Sequence, residues 1–138
     1  LHCCHTITTG DLLKEQASFG RGGSIRNLLV HVVNTYEFWI GKTALQKEMV
    51  FTPYEAISNS PDLQALYGIV DTLMQEFFDA MQSPAMNAIS YAINGVHGAT
   101  DACTLFSHVI THEYHHKGQV LSISRQLGYT PVDTDIMR

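Results

Sequence analysis

Eight histidines in 138 residues, as many as the lysines and arginines combined, are the unusual feature of this chain. His112 and His116 are four residues apart. On an α-helix that spacing stacks two imidazoles one turn apart on the same side, which is what chelation of a single ion requires. The helical period places both within the apolar stripe that also carries Leu105 and Ile123. A single buried histidine would read as a satisfied core residue, but two at this spacing read as ligands. Without partners their nitrogens would cost roughly 1 to 3 kcal/mol each, whereas one shared metal ion satisfies both. His31 is the candidate third ligand, because it borders the apolar face of another helix beside Leu28 and Thr35. His108 and His115 fall at the margin of the stripe, and Gln119 lies where it could hydrogen-bond a ligand or a bound water. His2, His5 and His97 are weaker candidates, since no helical face carries them. Neutral imidazoles without an obvious thiolate suit Zn, Ni, Fe or Mn.

Positioning these side chains is the task of the helices. Ser24 caps a helix whose apolar positions Ile25, Leu28, Leu29, Val32, Tyr36, Trp39 and Ile40 keep a three-four spacing, expected to run to about Lys47. Asn59, Ser60 and Pro61 start the next helix, with Leu63, Leu66, Val70, Leu73, Met74, Phe77 and Met81 on one face and an end near Ser83 and Pro84. Residues 85–99 lack a clear period and contain Gly95 and Gly98, so they read as a connection. Thr100 is the expected cap of a last long helix through Leu105, Val109, Val120, Ile123 and Leu127, closed by Gly128 and Pro131. No strand-like alternation is apparent. Three long amphipathic segments and a partial first helix, its beginning expected upstream of Leu1, give an all-α fold. An antiparallel four-helix bundle in a single domain over 1–138 is the expected architecture.

Composition narrows the function. A chain of this length buries a core without a structural metal, so a metal here is expected to be functional. A formal charge of −5 with scattered cations gives no stripe for a phosphate backbone, so direct nucleic-acid binding is not expected. No apolar run approaches a membrane span, and no basic-then-apolar leader is visible. Cys3, Cys4 and Cys103 form no disulfide framework, which fits reduced thiols and a cytoplasmic location. Cys103 reads as a small buried hydrophobe, and Tyr36, Trp39, Phe77 and Phe78 as core. Asp133 and Asp135 read as a solvated tail.

The segment HVITHEYHHKGQVLSISRQLGYTPVDTD, His108 to Asp135, resembles the closing segment of the DinB/YfiT-like family of metal-binding four-helix bundles. Lys117, Gly118 and Gln119 carry the resemblance as much as the histidines do, although Lys117 stands where an arginine is common. SIRNLLVHVVNTYEFWIG, Ser24 to Gly41, is similar to that family's second helix, with His31 at the position of a ligand. The resemblance implies a divalent metal held by His31, His112 and His116, open coordination positions, and a homodimer. Relatives in that superfamily use low-molecular-weight thiols, some as thiol S-transferases and some as thiol-dependent isomerases. The expected activity is therefore metal-dependent thiol transfer to a small electrophile. The alternative is a non-catalytic, stress-responsive metal-binding dimer.

A third reading comes from His112, Glu113 and His116, which also satisfy H-E-x-x-H, the zinc-metalloprotease pattern in which the glutamate is general base. The extended metzincin spacing fails, because Gly118 comes one residue early and no histidine follows it. Glu113 also lies about 100° from His112 around the helix, towards the other edge of the stripe. It is not assigned as catalytic.

Overall fold

The structure is a computed structural model that describes residues 6–16 and 23–131. His2, Cys3, Cys4, His5, Asp133 and Asp135 lie outside the described residues. The chain is mostly helical, in the order α1 (Thr9–Leu13), α2 (Ile25–Tyr36), α3 (Ser60–Ala80), β1 (Ile89–Ile93), β2 (Val96–Thr100) and α4 (Ala102–Gln126). The all-α class holds, with one small β-hairpin added.

Helix α2 occupies the centre, touched by α1, α3 and α4. Ser24 caps it as expected, its hydroxyl accepting from the Asn27 N–H at 3.0 Å. Ile25, Leu28, Val32, Val33 and Tyr36 are buried. The helix does not continue regularly to Lys47. From Glu37 to Ala44 it widens into a π-helix, closed by Leu45 N–H donating to the Ile40 carbonyl at 2.9 Å. His31, Thr35 and Trp39 follow one another at intervals of four and line the same cleft. Trp39, expected in the core, is partly buried and packs against it, and its other side forms the wall of a cleft.

Beyond the π turn the chain is pinned back onto α2 by a side-chain amide. Asn34 Nδ2 donates to the Thr52 carbonyl at 3.0 Å, and Thr52 N–H donates to Asn34 Oδ1 at 3.1 Å. Helix α3 starts where Asn59, Ser60 and Pro61 predict, with Asn59 Oδ1 accepting from the Asp62 N–H at 2.9 Å. Its buried face is Leu63, Leu66, Val70, Leu73 and Phe77. Phe78, expected in the core, is 46% exposed because it follows the last inward position by one residue.

The largest departure is in residues 85–99. They form a short 3₁₀ turn at Pro84–Asn87 and then the antiparallel hairpin β1–β2, with Tyr91 opposite Gly98 and Ile93 opposite Val96. Asn94 and Gly95 take φ of 50° and 78°, the two consecutive left-handed positions of the tight turn that Asn-Gly favours. Helix α4 is accordingly capped by Asp101 and not by Thr100, which ends β2; Asp101 Oδ1 accepts from the Thr104 N–H at 3.0 Å. Cys103, just inside that cap, is exposed and not a buried hydrophobe. Ala102, Leu105, Val109, His116, Val120 and Ile123 are buried, and Gly128 at φ 91° terminates the helix as expected. No helix among the described residues is long and apolar enough to cross a membrane.

Candidate metal centre

α4 presents His112 and His116 towards α2, and α2 presents His31 towards them. The His31 ring lies with its centroid 4.9 Å from that of His112 and 4.9 Å from that of His116, and the two α4 rings are 4.5 Å apart. One ring nitrogen from each of the three lies within 4.8 Å of the others. His112 Nε2 and His116 Nε2 are 3.2 Å apart. Two nitrogens bound at about 2.0–2.1 Å to a tetrahedral ion would be separated by roughly 3.3 Å. The donor set therefore fits a divalent cation, and the three residues singled out in the sequence are the three that converge.

The surroundings favour the neutral, ligating form of these rings. Burial holds the His112 imidazole down at about 4, with the neighbouring His116, His31, His108 and His115 adding to the effect. His112 Nδ1 is buried without a hydrogen-bond partner among the described residues. His116, 8% exposed, has its Nδ1 2.7 Å from Gln119 Oε1. A carbonyl oxygen accepts only, so Nδ1 carries the proton and the Nε2 lone pair faces His112 and His31.

Glu113 turns elsewhere. Its Oε2 accepts from the buried Tyr36 hydroxyl at 2.5 Å, and burial together with this carboxylate pushes the phenol strongly upward in pKa. The contact ties α4 to α2 one residue from His112, and the geometry gives no support to Glu113 as a general base. His115 is exposed and packs against the outside of His116, with ring centroids 5.0 Å apart. His97 is exposed on β2.

A cleft of about 350 Å³ borders the cluster, walled by His31, His112, Thr35, Trp39, His108 and Ile93. His108 is thus a wall residue, its ring 6.3 Å from that of His112 and edge-on to Trp39 at 5.1 Å. Ile93 and Trp39 were not foreseen here, because the hairpin that delivers Ile93 was not foreseen and Trp39 was expected in the core. The Asn94-Gly95 dipeptide was the available signal for the first of these.

The family model described as "DinB family" matches residues 1–138. The chain belongs to the DinB family. A curated relative is 25% identical over 144 residues, covering 97% of this chain and 82% of the relative: the uncharacterized protein YizA of Bacillus subtilis (strain 168). In this DinB-family chain the cluster of three histidines joins two helices far apart in sequence, and an open cleft lies beside it.

Proposed function

We propose that this DinB-family protein binds one divalent metal ion through His31, His112 and His116 and transfers a low-molecular-weight thiol to a small electrophile. The observation that carries the metal site is the convergence of three imidazole nitrogens within 4.8 Å from two helices. Zn, Ni, Fe and Mn all suit three neutral nitrogen donors. When bound at such a site, with positions left open, the ion would lower the pKa of a coordinated thiol and so favour the thiolate nucleophile.

The chain's own residues have defined tasks in this reading. His112 keeps its lone pair free at neutral pH because its burial disfavours the imidazolium. Gln119 fixes the tautomer of His116. The Tyr36–Glu113 link holds the α4 ligands in register with the α2 ligand. The cleft admits the electrophile on the side of His108 and Trp39. In the transfer itself the thiol proton is lost to solvent, sulfur forms the new bond to carbon, and the electrophile's leaving group departs with the electron pair.

An open cleft with three protein donors favours catalysis over the alternative of a purely structural or sensing site, which would be closed by a fourth ligand. The homodimer and the cytoplasmic location belong to the same proposal. The test is elemental analysis after dialysis against a weak chelator. Wild type should hold about one metal per chain, His31→Ala, His112→Ala and His116→Ala should lose it, and His115→Ala should keep it. Thiol consumption with a panel of small electrophiles should then follow the metal content. Metal retention by all the variants would overturn the site, and no thiol chemistry in fully loaded protein would overturn the reaction.

A further inference from the structure

Beside the cleft at the histidine cluster lies a second, open chamber of about 400 Å³, and the two share Trp39, Ile93 and His108. An aromatic series leads from one to the other. Tyr91 of β1 meets Trp39 edge-on at 5.5 Å, Trp39 meets His108 edge-on at 5.1 Å, and His108 stands 6.3 Å from His112. Among the described residues no Lys, Arg, Asp or Glu lines either space. The threonines of the walls hydrogen-bond to nearby chain groups: Thr35 Oγ1 donates to the His31 carbonyl at 2.9 Å, Thr104 Oγ1 to Asp101 Oδ2 at 2.7 Å and Thr100 Oγ1 to the Asp101 carbonyl at 3.5 Å. The wall is mainly apolar, from Trp39, Tyr91, Ile93, Ala99 and Leu105, with the His108 imidazole and the Tyr91 hydroxyl as its polar groups.

We propose that this chamber is a binding site for the uncharged, ring-sized apolar body of an organic ligand, and that the hairpin sets its width through Gly98. The volume is that of a small-ligand pocket, and ring edges at 5 to 6 Å favour a further aromatic group over a charged one. Gly98 faces Tyr91 across the hairpin, and a Cβ there would meet the Tyr91 hydroxyl at 2.5 Å. Glycine at this position is what lets the Tyr91 ring lie across β2 with its edge towards Trp39. Resting on the thiol-transfer reading, the bound group is the electrophile, with its reacting end passing His108 towards the metal. The chamber itself is present without that reading and is testable without it.

Trp39 is the single tryptophan of the chain, so its fluorescence reports the chamber directly. Nitrobenzene, a small uncharged quenching ring, is titrated into metal-free and zinc-loaded protein beside 4-nitrobenzoate, with N-acetyltryptophanamide as the unstructured control. Saturable quenching by nitrobenzene is expected in both forms of the protein, with 4-nitrobenzoate at least roughly tenfold weaker. Tyr91→Ala and Gly98→Ala should each weaken nitrobenzene about fivefold, with metal content unchanged. Thr104→Phe changes an exposed wall position without touching the core, and it should abolish saturation by filling the chamber even if a hairpin variant fails to fold. Linear quenching matching the control, equal affinity for the two probes, saturation only with zinc present, or unaltered binding in Thr104→Phe would each overturn the chamber. Saturable binding in protein that shows no thiol chemistry would overturn the proposed reaction and leave the chamber standing.

Discussion

Gln119 Oε1 lies 2.7 Å from His116 Nδ1, one turn further along α4 than the ring it orients. That contact decides which nitrogen of His116 is available, because an imidazole whose Nδ1 donates must present its Nε2 lone pair. Gln119→Leu removes the acceptor, frees the ring to flip, and should weaken metal binding about 10- to 100-fold while leaving the three ligands in place. Gln119→Glu keeps an acceptor and should retain most of the affinity. Competition with a chromophoric chelator measures both. Equal affinity in Gln119→Leu and wild type would show that packing alone orients His116.

The depressed pKa of His112 gives the metal-free protein a defined pH dependence. An unfolded histidine titrates near 6.5, and the folded His112 near 4, chiefly because burial disfavours its charged form. Between those values the unfolded chain takes up a proton that the folded chain does not. The stability associated with neutral His112 is therefore fully present above 6.5 and is lost as pH falls towards 4. Urea unfolding of chelator-treated protein between pH 7.5 and pH 4 should show a steeper acid loss in wild type than in His112→Gln, which has no ring to protonate. Parallel curves for the two proteins would mean that His112 is accessible to protons in the fold.

Tyr36 and Glu113 separate a structural carboxylate from a catalytic one. Tyr36 is 2% exposed, and its hydroxyl donates to Glu113 Oε2 across the α2–α4 interface. Tyr36→Phe leaves the carboxylate without that donor and should cost roughly 1 to 3 kcal/mol. Glu113→Gln retains an oxygen that accepts from the phenol and should cost less. Both variants should keep one metal per chain. Thermal unfolding with metal analysis checks this. If Glu113→Gln were stable and metal-loaded yet inactive where wild type is active, the general-base reading of His112, Glu113 and His116 would return.

The helical framework and the histidine cluster were legible because both rest on local periodicity. Ser24, Asn59 and Gly128 mark helix ends through the chemistry of caps, and the spacing of four between His112 and His116 fixes a shared face whatever surrounds it. His31 could be chosen because it borders an apolar face, which is again a property of one helix. The wall of the cleft was not legible in the same way. The π turn at Glu37–Ala44 depends on how α2 packs against its neighbours, and the apolar period assigned Trp39 to the core alone. The hairpin was missed because β1 and β2 are short and mostly exposed, so no hydrophobic alternation announces them and only the Asn94-Gly95 turn does. Tyr36 and Glu113 are 77 residues apart, and no single-helix pattern links them.

Glu37 opens the π turn and is 2% exposed, with its Oε2 lacking a hydrogen-bond partner among the described residues. Burial raises the pKa of its carboxyl, and the Thr52 N–H opposes that shift only in part. That N–H donates to Asn34 Oδ1 at 3.1 Å, so Asn34 holds the chain at Thr52 against α2 beside Glu37. The sign is opposite to that of His112. A carboxyl whose folded pKa lies above its unfolded value favours the fold below the unfolded value, and this contribution is lost as pH rises through the folded one. Glu37→Gln keeps the side chain's size and a carbonyl oxygen and removes the ionisation. It should match wild type in acid and become the more stable protein as pH rises towards 8, with metal content unchanged. Chemical denaturation of the two proteins at pH 4.5 and pH 8 measures the difference, and a gap that did not widen with pH would mean that Glu37 ionises in the fold without penalty.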